Sequence, residues 1–270
     1  MNILLWTDLE GISGVTVAAQ IMPEQMLYAE GRRLYTEDIN AAARGAAAAG
    51  ATCIVVREAH GGHDIMGVNH VIPELLDPHC EWVSHHYGPA QPWLEMHYDA
   101  MVMVGMHARW GTPDGILCHT IAGGMDVYLN DQPVGEVEVF GRMMGAYGTP
   151  VAVVTGDTAT CAEASAIIPG LTAVAVKRGY TNESGQCIAP QRARVMIEEA
   201  VRNALLNIQT KSLLPPQKAV WRVKYHYEGT AARMAALPDV KVTGPEEVTI
   251  DAHGSYLSGL NRIFGWPVDA

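Results

Sequence analysis

Basic residues are scarce in this sequence: 18 Lys and Arg stand against 29 Asp and Glu, for a formal net charge of -11. A chain of that sign is repelled by phosphate backbones and anionic surfaces, so neither nucleic acid nor membrane is an expected partner. No run of 18 or more apolar residues is present, and the N-terminus enters a strand without a basic leader or cleavage site, so a cytoplasmic location is expected. The cysteines, at 53, 80, 118, 161 and 187, form no CxxC pair. Free thiols are expected, with no disulfide framework and no Cys-ligated zinc, and Cys118 reads as a packing residue beside His119. No GxGxxG follows the first strand, which excludes a dinucleotide fold, and neither repeats nor low-complexity segments occur. What remains is 270 residues, enough for one large α/β domain or one domain with an appended lobe.

The stretch Asn2 to Gly14 organises the rest. Ile3-Leu4-Leu5-Trp6 has the length and composition of a buried strand and ends in Thr7-Asp8-Leu9-Glu10-Gly11. Side chains two apart on a strand share a face, so Asp8 and Glu10 are expected side by side where the strand leaves the core. Two such carboxylates repel unless a proton or cation lies between them. Gly11 and Gly14 allow the backbone to turn away and leave the pair at a cleft, although a solvated acidic loop has the same dipeptide pattern.

The same sentence structure recurs along the chain. A crossover helix from about Glu30 to Ala49, smooth with alanine, leads to a strand at Thr52 to Val56, which empties into Arg57-Glu58-Ala59-His60-Gly61. The proline- and histidine-rich tract from 64 to 99 reads as surface loop, with His85-His86 its most notable pair. Ala100 to Val104 then delivers Gly105-Met106-His107-Ala108-Arg109, and His119 follows Gly115 to Cys118. Asp126 to Leu129, a turn at Asn130 to Pro133 and a return through Val134 place Glu136 near the N-terminus of a helix running to about Tyr147. Helix capping alone accounts for a carboxylate there. Val151 to Val154 precedes Thr155-Gly156-Asp157 and a helix at Thr158 to Ile167; a strand at Leu171 to Val176 ends at Lys177, and a helix spans about Ala189 to Gln209.

This alternation predicts an α/β fold, a mixed, largely parallel sheet flanked by helices, with Asp8, Glu10, His60, His107 and Asp157 at the carboxyl ends of its strands, where such sheets bind ligands. Leu214-Pro215-Pro216 marks a boundary between a catalytic domain at 1–213 and a smaller C-terminal α+β lobe at 214–270. In the lobe, strands are expected at Ala219 to Tyr225, Lys241 to Thr243 and Val248 to Asp251, and helices at Gly229 to Leu237 and Ser255 to Phe264. The lobe and its apolar last helix are available for subunit contacts or for the chain's own core.

Carboxylates and neutral imidazoles converging on one spot form the donor set of zinc or a similar ion. Asp8, Glu10, His60, His107 and Glu136 are too many for one catalytic zinc but suit two ions sharing a carboxylate, about 3.5–4 Å apart, which polarise a carbonyl and activate water. Here the motifs carry a resemblance. Asp8-Leu9-Glu10-Gly11-Ile12-Ser13-Gly14, His60, Gly105-Met106-His107-Ala108, His119 and Tyr128-Leu129-Asn130-Asp131-Gln132-Pro133-Val134-Gly135-Glu136 resemble, in order, the D-aminopeptidase (DppA) family of zinc metallopeptidases. The likeness continues through Tyr28 to Arg32, Thr36 to Asn40, Gly156-Asp157 and Ala175-Val176-Lys177, covering the chain well to about residue 200 and poorly over the last 60.

The resemblance implies two zinc ions per chain, with Asp8 bridging, Glu10 and His60 on one ion and His107 and Glu136 on the other. It implies His119 as catalytic base or nucleophile, a short peptide substrate with an N-terminal D-residue, and a homo-oligomer, a ring-like decamer. The sequence departs from the family pattern at Glu58, where an Asp is usual, and in the tract 64 to 99. The rival enzyme is a magnesium-dependent phosphatase of the haloacid-dehalogenase type, whose Asp-x-Asp-Gly opening Asp8-Leu9-Glu10-Gly11 imitates. That scheme wants Asp where Glu10 and Cys161 stand and leaves His60, His107 and His119 idle. A non-catalytic metal-dependent binding or assembly protein is the alternative outside enzymes.

Overall fold

Alternate residues of the opening strand belong to different cores. Along β1 (Asn2–Thr7), Ile3 and Leu5 face one apolar cluster while Leu4 and Trp6 face another, as the two-residue period of a strand requires. A strand buried on both faces is apolar throughout, which is why these runs were legible. In the computed structural model, which describes residues 1–61, 68–84 and 92–264, β1 is followed by α1 (Tyr28–Ala48), β2 (Cys53–Glu58), β3 (Cys80–Trp82) and β4 (Ala100–Met106). Then come β5 (Met125–Leu129), β6 (Gln132–Pro133), α2 (Glu136–Ala146), β7 (Val151–Asp157), α3 (Thr158–Ile167), β8 (Thr172–Thr181), β9 (Ser184–Cys187) and α4 (Pro190–Leu206). The chain closes with β10 (Trp221–Tyr225), α5 (Thr230–Met234), β11 (Val240–Gly244), β12 (Glu247–Ile250) and α6 (Tyr256–Ile263). His85-His86 lies outside the described residues.

The fold is α/β. A seven-stranded sheet of order β3-β2-β1-β4-β7-β8-β9 is parallel except for the antiparallel edge strand β9. Helices α1 and α4 cover one face, and their close crossing depends on glycine: a Cβ on Gly45 would stand 2.5 Å from the Glu198 carbonyl oxygen. The opposite face shares its core with a second, antiparallel sheet of order β11-β12-β10-β5-β6, where Trp6, Met101 and Met103 meet Val127, Trp221 and Val223. That second sheet draws β5 and β6 from before Pro215-Pro216 and β10 to β12 from after it, with Trp221 opposite Leu129 in register. Tyr256, Leu260 and Ile263 of α6 are buried in this shared core, so the apolar side of the last helix is used within the chain.

Several boundaries differ from the sequence expectation. The strand expected to stop at Val176 runs to Thr181 and turns into β9, because the Lys177 ammonium is buried and fully hydrogen-bonded. Edge strand β3 lies inside the tract read as loop, and His70 of that tract is fully buried rather than on the surface. The helix expected at Gly229 to Leu237 shrinks to α5, since Gly229 adopts a left-handed conformation and stands outside it. The long helix begins at Pro190, with no amide hydrogen to lose at a first turn, and ends at Leu206.

Candidate metal centre

Two glycines bring the site together. Asp8 N–H donates to the Val104 carbonyl at 2.8 Å and Gly11 N–H to the Gly105 carbonyl at 2.7 Å, so the loop after β1 lies directly on the end of β4. A Cβ on Gly11 would fall 1.9 Å from the Met106 carbonyl oxygen, and one on Gly105, whose φ is +75°, 2.2 Å from that of Asp8. Only glycine fits at such a close backbone approach. The contact sets Asp8 and Glu10 beside His107, and parallel pairing of β1 with β2 adds His60.

All six residues singled out in the sequence converge. His60 Nδ1 lies 2.9 Å from Glu10 Oε2 and 3.5 Å from Asp8 Oδ1. His107 Nε2 lies 3.2 Å from Glu136 Oε1 and 3.5 Å from Asp8 Oδ2. Asp8 thus offers one oxygen to each imidazole. His119 stacks on His107 with ring centroids 4.0 Å apart, and its Nε2 stands 3.8 Å from Glu10 Oε1 and 3.9 Å from Glu136 Oε1. Donor atoms of Asp8, Glu10 and His60 fall within 4.8 Å of one another, as do those of His107, His119 and Glu136. Glu136 is the first residue of α2, but its carboxylate reaches across to accept from Ile121 N–H at 2.6 Å and to face His107. Asp157, at a strand end like the others, is not part of the cluster; it caps α3 through Thr160 and accepts from Ile116 N–H at 2.7 Å.

The orientation of the three rings indicates what the cluster is for. The other nitrogen of each faces a main-chain carbonyl, His60 Nε2 with Ile21 at 3.0 Å, His107 Nδ1 with Ala108 at 3.0 Å and His119 Nδ1 with Leu117 at 2.8 Å. A carbonyl only accepts, so those nitrogens carry the hydrogen, and each neutral ring turns a lone pair toward carboxylate oxygens. Lone pair against lone pair is repulsive unless a cation or a proton intervenes. His107 Nε2, buried and without a hydrogen-bond partner among the described residues, is the clearest case. The donor set therefore fits divalent metal.

Electrostatics point the same way. Burial, with the charge of Glu10 next, pushes Asp8 up to about 8. Burial alone would pull His60 down, but the Glu10 charge and hydrogen bonds to both carboxylates lift it to about 10. His107 is raised in the same way against burial, chiefly by Glu136. Glu10 and Glu136 are held low despite burial, by His60 and His107 respectively. Without metal the cluster thus takes protons on two imidazoles and on Asp8, positive charge that cations would otherwise supply. His119 departs from this pattern: burial and the neighbouring His107 lower it.

Three contributors were not foreseen. Lys177 is buried, and its ammonium donates to the carbonyls of Glu10, Ile12 and Val15, bracing the loop that presents Asp8 and Glu10. The signal available was a lysine closing an apolar strand at the same sheet end as the acids. Glu58 takes no place among the donors; its Oε2 accepts from His70 N–H at 2.7 Å and Val71 N–H at 3.2 Å and ties the following segment to β2. The Ile21 carbonyl that orients His60 left no local signal. The segment carrying His119 is strained, with Leu117 at φ +51° and Ile121 at +64°, and is fastened by Leu117 N–H to the Asn182 carbonyl at 2.7 Å and by Ile121 to Glu136.

Comparison with known proteins accords with this geometry. A family model described as D-aminopeptidase matches residues 1–258, reaching well past residue 200, where the recognisable motifs thin out. The D-aminopeptidase of Bacillus subtilis (strain 168) is 29% identical over 260 residues, spanning 93% of this chain and 92% of its own. Among solved structures, the Zn-dependent D-aminopeptidase DppA from Bacillus subtilis, described as a self-compartmentalizing protease, superposes with a TM-score of 0.88 at 27% identity, over 98% of this chain and 96% of that one.

Proposed function

This chain belongs to the D-aminopeptidase family, and from that premise we propose that it is a zinc-dependent aminopeptidase that removes N-terminal residues, D-residues by preference, from short peptides. The observation that carries the reading is the pair of donor groups joined through the two oxygens of Asp8. Glu10 and His60 would hold one ion, His107 and Glu136 the other, and Asp8 both. Zinc bound there supplies Lewis acidity toward the scissile carbonyl and a water of lowered pKa.

The remaining work falls to the chain's own groups. The side chains of Asp8, Glu10, His60, His107 and Glu136 are 3%, 2%, 4%, 0% and 6% exposed, whereas that of His119 is 22% exposed. Substrate therefore meets the site over His119. Kept neutral at physiological pH by burial and by His107, with its Nδ1 hydrogen fixed on the Leu117 carbonyl, His119 presents a free Nε2 that takes a proton from the attacking water and returns it to the leaving amine. The carboxylates of Glu10 and Glu136, 3.8 and 3.9 Å from His119 Nε2, attract the substrate's α-ammonium group. Water adds across the amide, yielding a free amino acid and a peptide shortened by one residue.

The test is elemental analysis together with a substrate panel. Close to two zinc ions per chain are expected, with Asp8→Ala losing more than one, and the loaded protein should cleave D-alanyl dipeptides faster than their L-counterparts. Active wild-type protein free of metal would overturn the reading. Cleavage of N-blocked peptides alone would make it an endopeptidase, and hydrolysis of a phosphate monoester alone a phosphatase. We propose further that the enzyme is cytoplasmic and that it is a homo-oligomer, a ring-like decamer; the self-compartmentalizing relative supports the assembly, and a monomer in sedimentation at working concentration would exclude the ring. No helix among the described residues is long and apolar enough to cross a membrane.

A further inference from the structure

A cavity of about 120 Å³ is lined by Arg109, Trp110, Thr120, Asp126, Tyr128 and Val134, among others. It has room for several waters and hence for a small residue. Three of its walls continue directly from site residues: Arg109 is two beyond His107, Thr120 follows His119, and Val134 is two before Glu136. Arg109 is the one cation lining it among the described residues. Its Cβ packs on Gly135, where a side chain would come within 3.0 Å of it, so the arginine stem runs alongside the start of α2.

The guanidinium is only partly engaged. Nη1 lies 3.4 Å from Glu163 Oε2, the arginine side chain is 42% exposed, and among the described residues its other nitrogens make no hydrogen bond. The same Glu163 oxygen accepts Arg109 N–H at 3.1 Å, which fixes the backbone from which the side chain projects. Asp126, the one acid lining the cavity among the described residues, is occupied by His226 Nε2 at 3.1 Å, and His226 leans on Trp110 with ring centroids 4.8 Å apart. In a chain of net charge -11, with three carboxylates at the centre, a substrate carboxylate finds a favourable place only beside a cation. A guanidinium with free donors is the group that reads a carboxylate in two-pronged fashion.

Resting on the aminopeptidase reading, we infer that this cavity receives the leaving end of the peptide and that Arg109 binds its C-terminal carboxylate. The substrate is then held by its two charges, ammonium toward Glu10 and Glu136 and carboxylate toward Arg109. Selectivity for short peptides with a free carboxyl end follows, since a longer peptide carries its carboxylate past the cavity.

The experiment compares D-alanyl-glycine with D-alanyl-glycinamide, as the ratio of kcat/KM for acid over amide within each of the wild type, Arg109→Gln, Arg109→Lys and Glu163→Gln. Effects on folding or metal loading act on both substrates and cancel in the ratio. The wild type should favour the acid by roughly 10-fold or more, the scale of one charge-assisted hydrogen bond, mainly through KM. Arg109→Gln should bring the ratio near one, Arg109→Lys should restore part of it, and Glu163→Gln should keep it. A wild-type ratio near one, or an Arg109→Gln ratio equal to wild type, overturns the assignment. If neither peptide is cleaved, the aminopeptidase reading fails on its own; calorimetric titration of the same two peptides into zinc-loaded protein then reads the acid-to-amide binding ratio, and a ratio of one or an Arg109-independent ratio overturns the carboxylate site.

Discussion

His119 shares Glu136 with His107, on which it stacks, yet differs from it in charge and exposure, and a single substitution separates the two roles. As a proton carrier it should be dispensable for metal, so His119→Ala should keep its zinc and its circular dichroism while turnover falls by at least ~100-fold, the usual scale for acid–base catalysis. Loss of an ion with the ring, seen in elemental analysis, would make it a ligand of the second group instead. The six residues were legible singly, because each follows an apolar run or a Gly-bounded motif. Their pairing was not. That Asp8 divides its oxygens between His60 and His107, and that His119 stacks on His107, depends on strands distant in sequence. The main-chain carbonyls that orient the rings are invisible in any sequence, since every residue has one.

Elements were legible in proportion to their burial. Strands β1, β2, β4 and β7 carry apolar runs emptying into polar residues, and those four build the centre of the parallel sheet. Strand β3, at an edge and with two exposed residues, has no such signature, and β8 was cut short at its buried lysine. Gly31 within α1 shows where local propensity misleads. Gly→Ala inside a helix ordinarily gains up to about 1 kcal/mol, but here a Cβ would lie 1.8 Å from the Gln20 carbonyl oxygen. Gly31→Ala should therefore destabilise by ~1–3 kcal/mol in urea unfolding, the cost of overpacking, and weaken zinc binding, because the displaced segment includes the Ile21 carbonyl that orients His60. A gain in stability would show that the segment yields freely.

Lys177 works at the same scale, joining the end of β8 to the loop after β1. Burial brings its ammonium down to about 8, while all three of its protons have carbonyl acceptors. Lys177→Met keeps the stem but takes the donor from the Glu10 and Val15 carbonyls, while that of Ile12 keeps the Val15 N–H at 3.1 Å; the cost is roughly 1–3 kcal/mol for each group left unsatisfied. Lower stability and weaker zinc affinity are expected together, measured by urea unfolding and competitive chelation. A stability loss with zinc affinity untouched would make the lysine a strut of the fold with no part in presenting Asp8 and Glu10.

At the scale of the whole molecule, the centre is a junction. Asp8, Glu10, His60 and His107 come from the parallel sheet, while Glu136 begins α2 directly after the β5–β6 hairpin of the antiparallel sheet, and the two sheets share one apolar core. Metal held between them should stabilise both at once, and its removal should leave buried carboxylates with protons alone for compensation. An ion present at 100 times its Kd adds about 2.7 kcal/mol, so two add about 5. For a chain of this size, at about 2–4 °C per kcal/mol, chelation should lower Tm by roughly 10–20 °C. Protein concentration has to be held constant, since assembly shifts Tm by mass action as well. Both sheets should melt in one transition with and without zinc, so that near-ultraviolet circular dichroism, which senses Trp6 and Trp221 in the shared core, coincides with the far-ultraviolet signal. A Tm indifferent to chelator and to added zinc would mean that the cluster holds no metal in solution, and two separated transitions would mean that the sheets fold as independent units joined only at the centre.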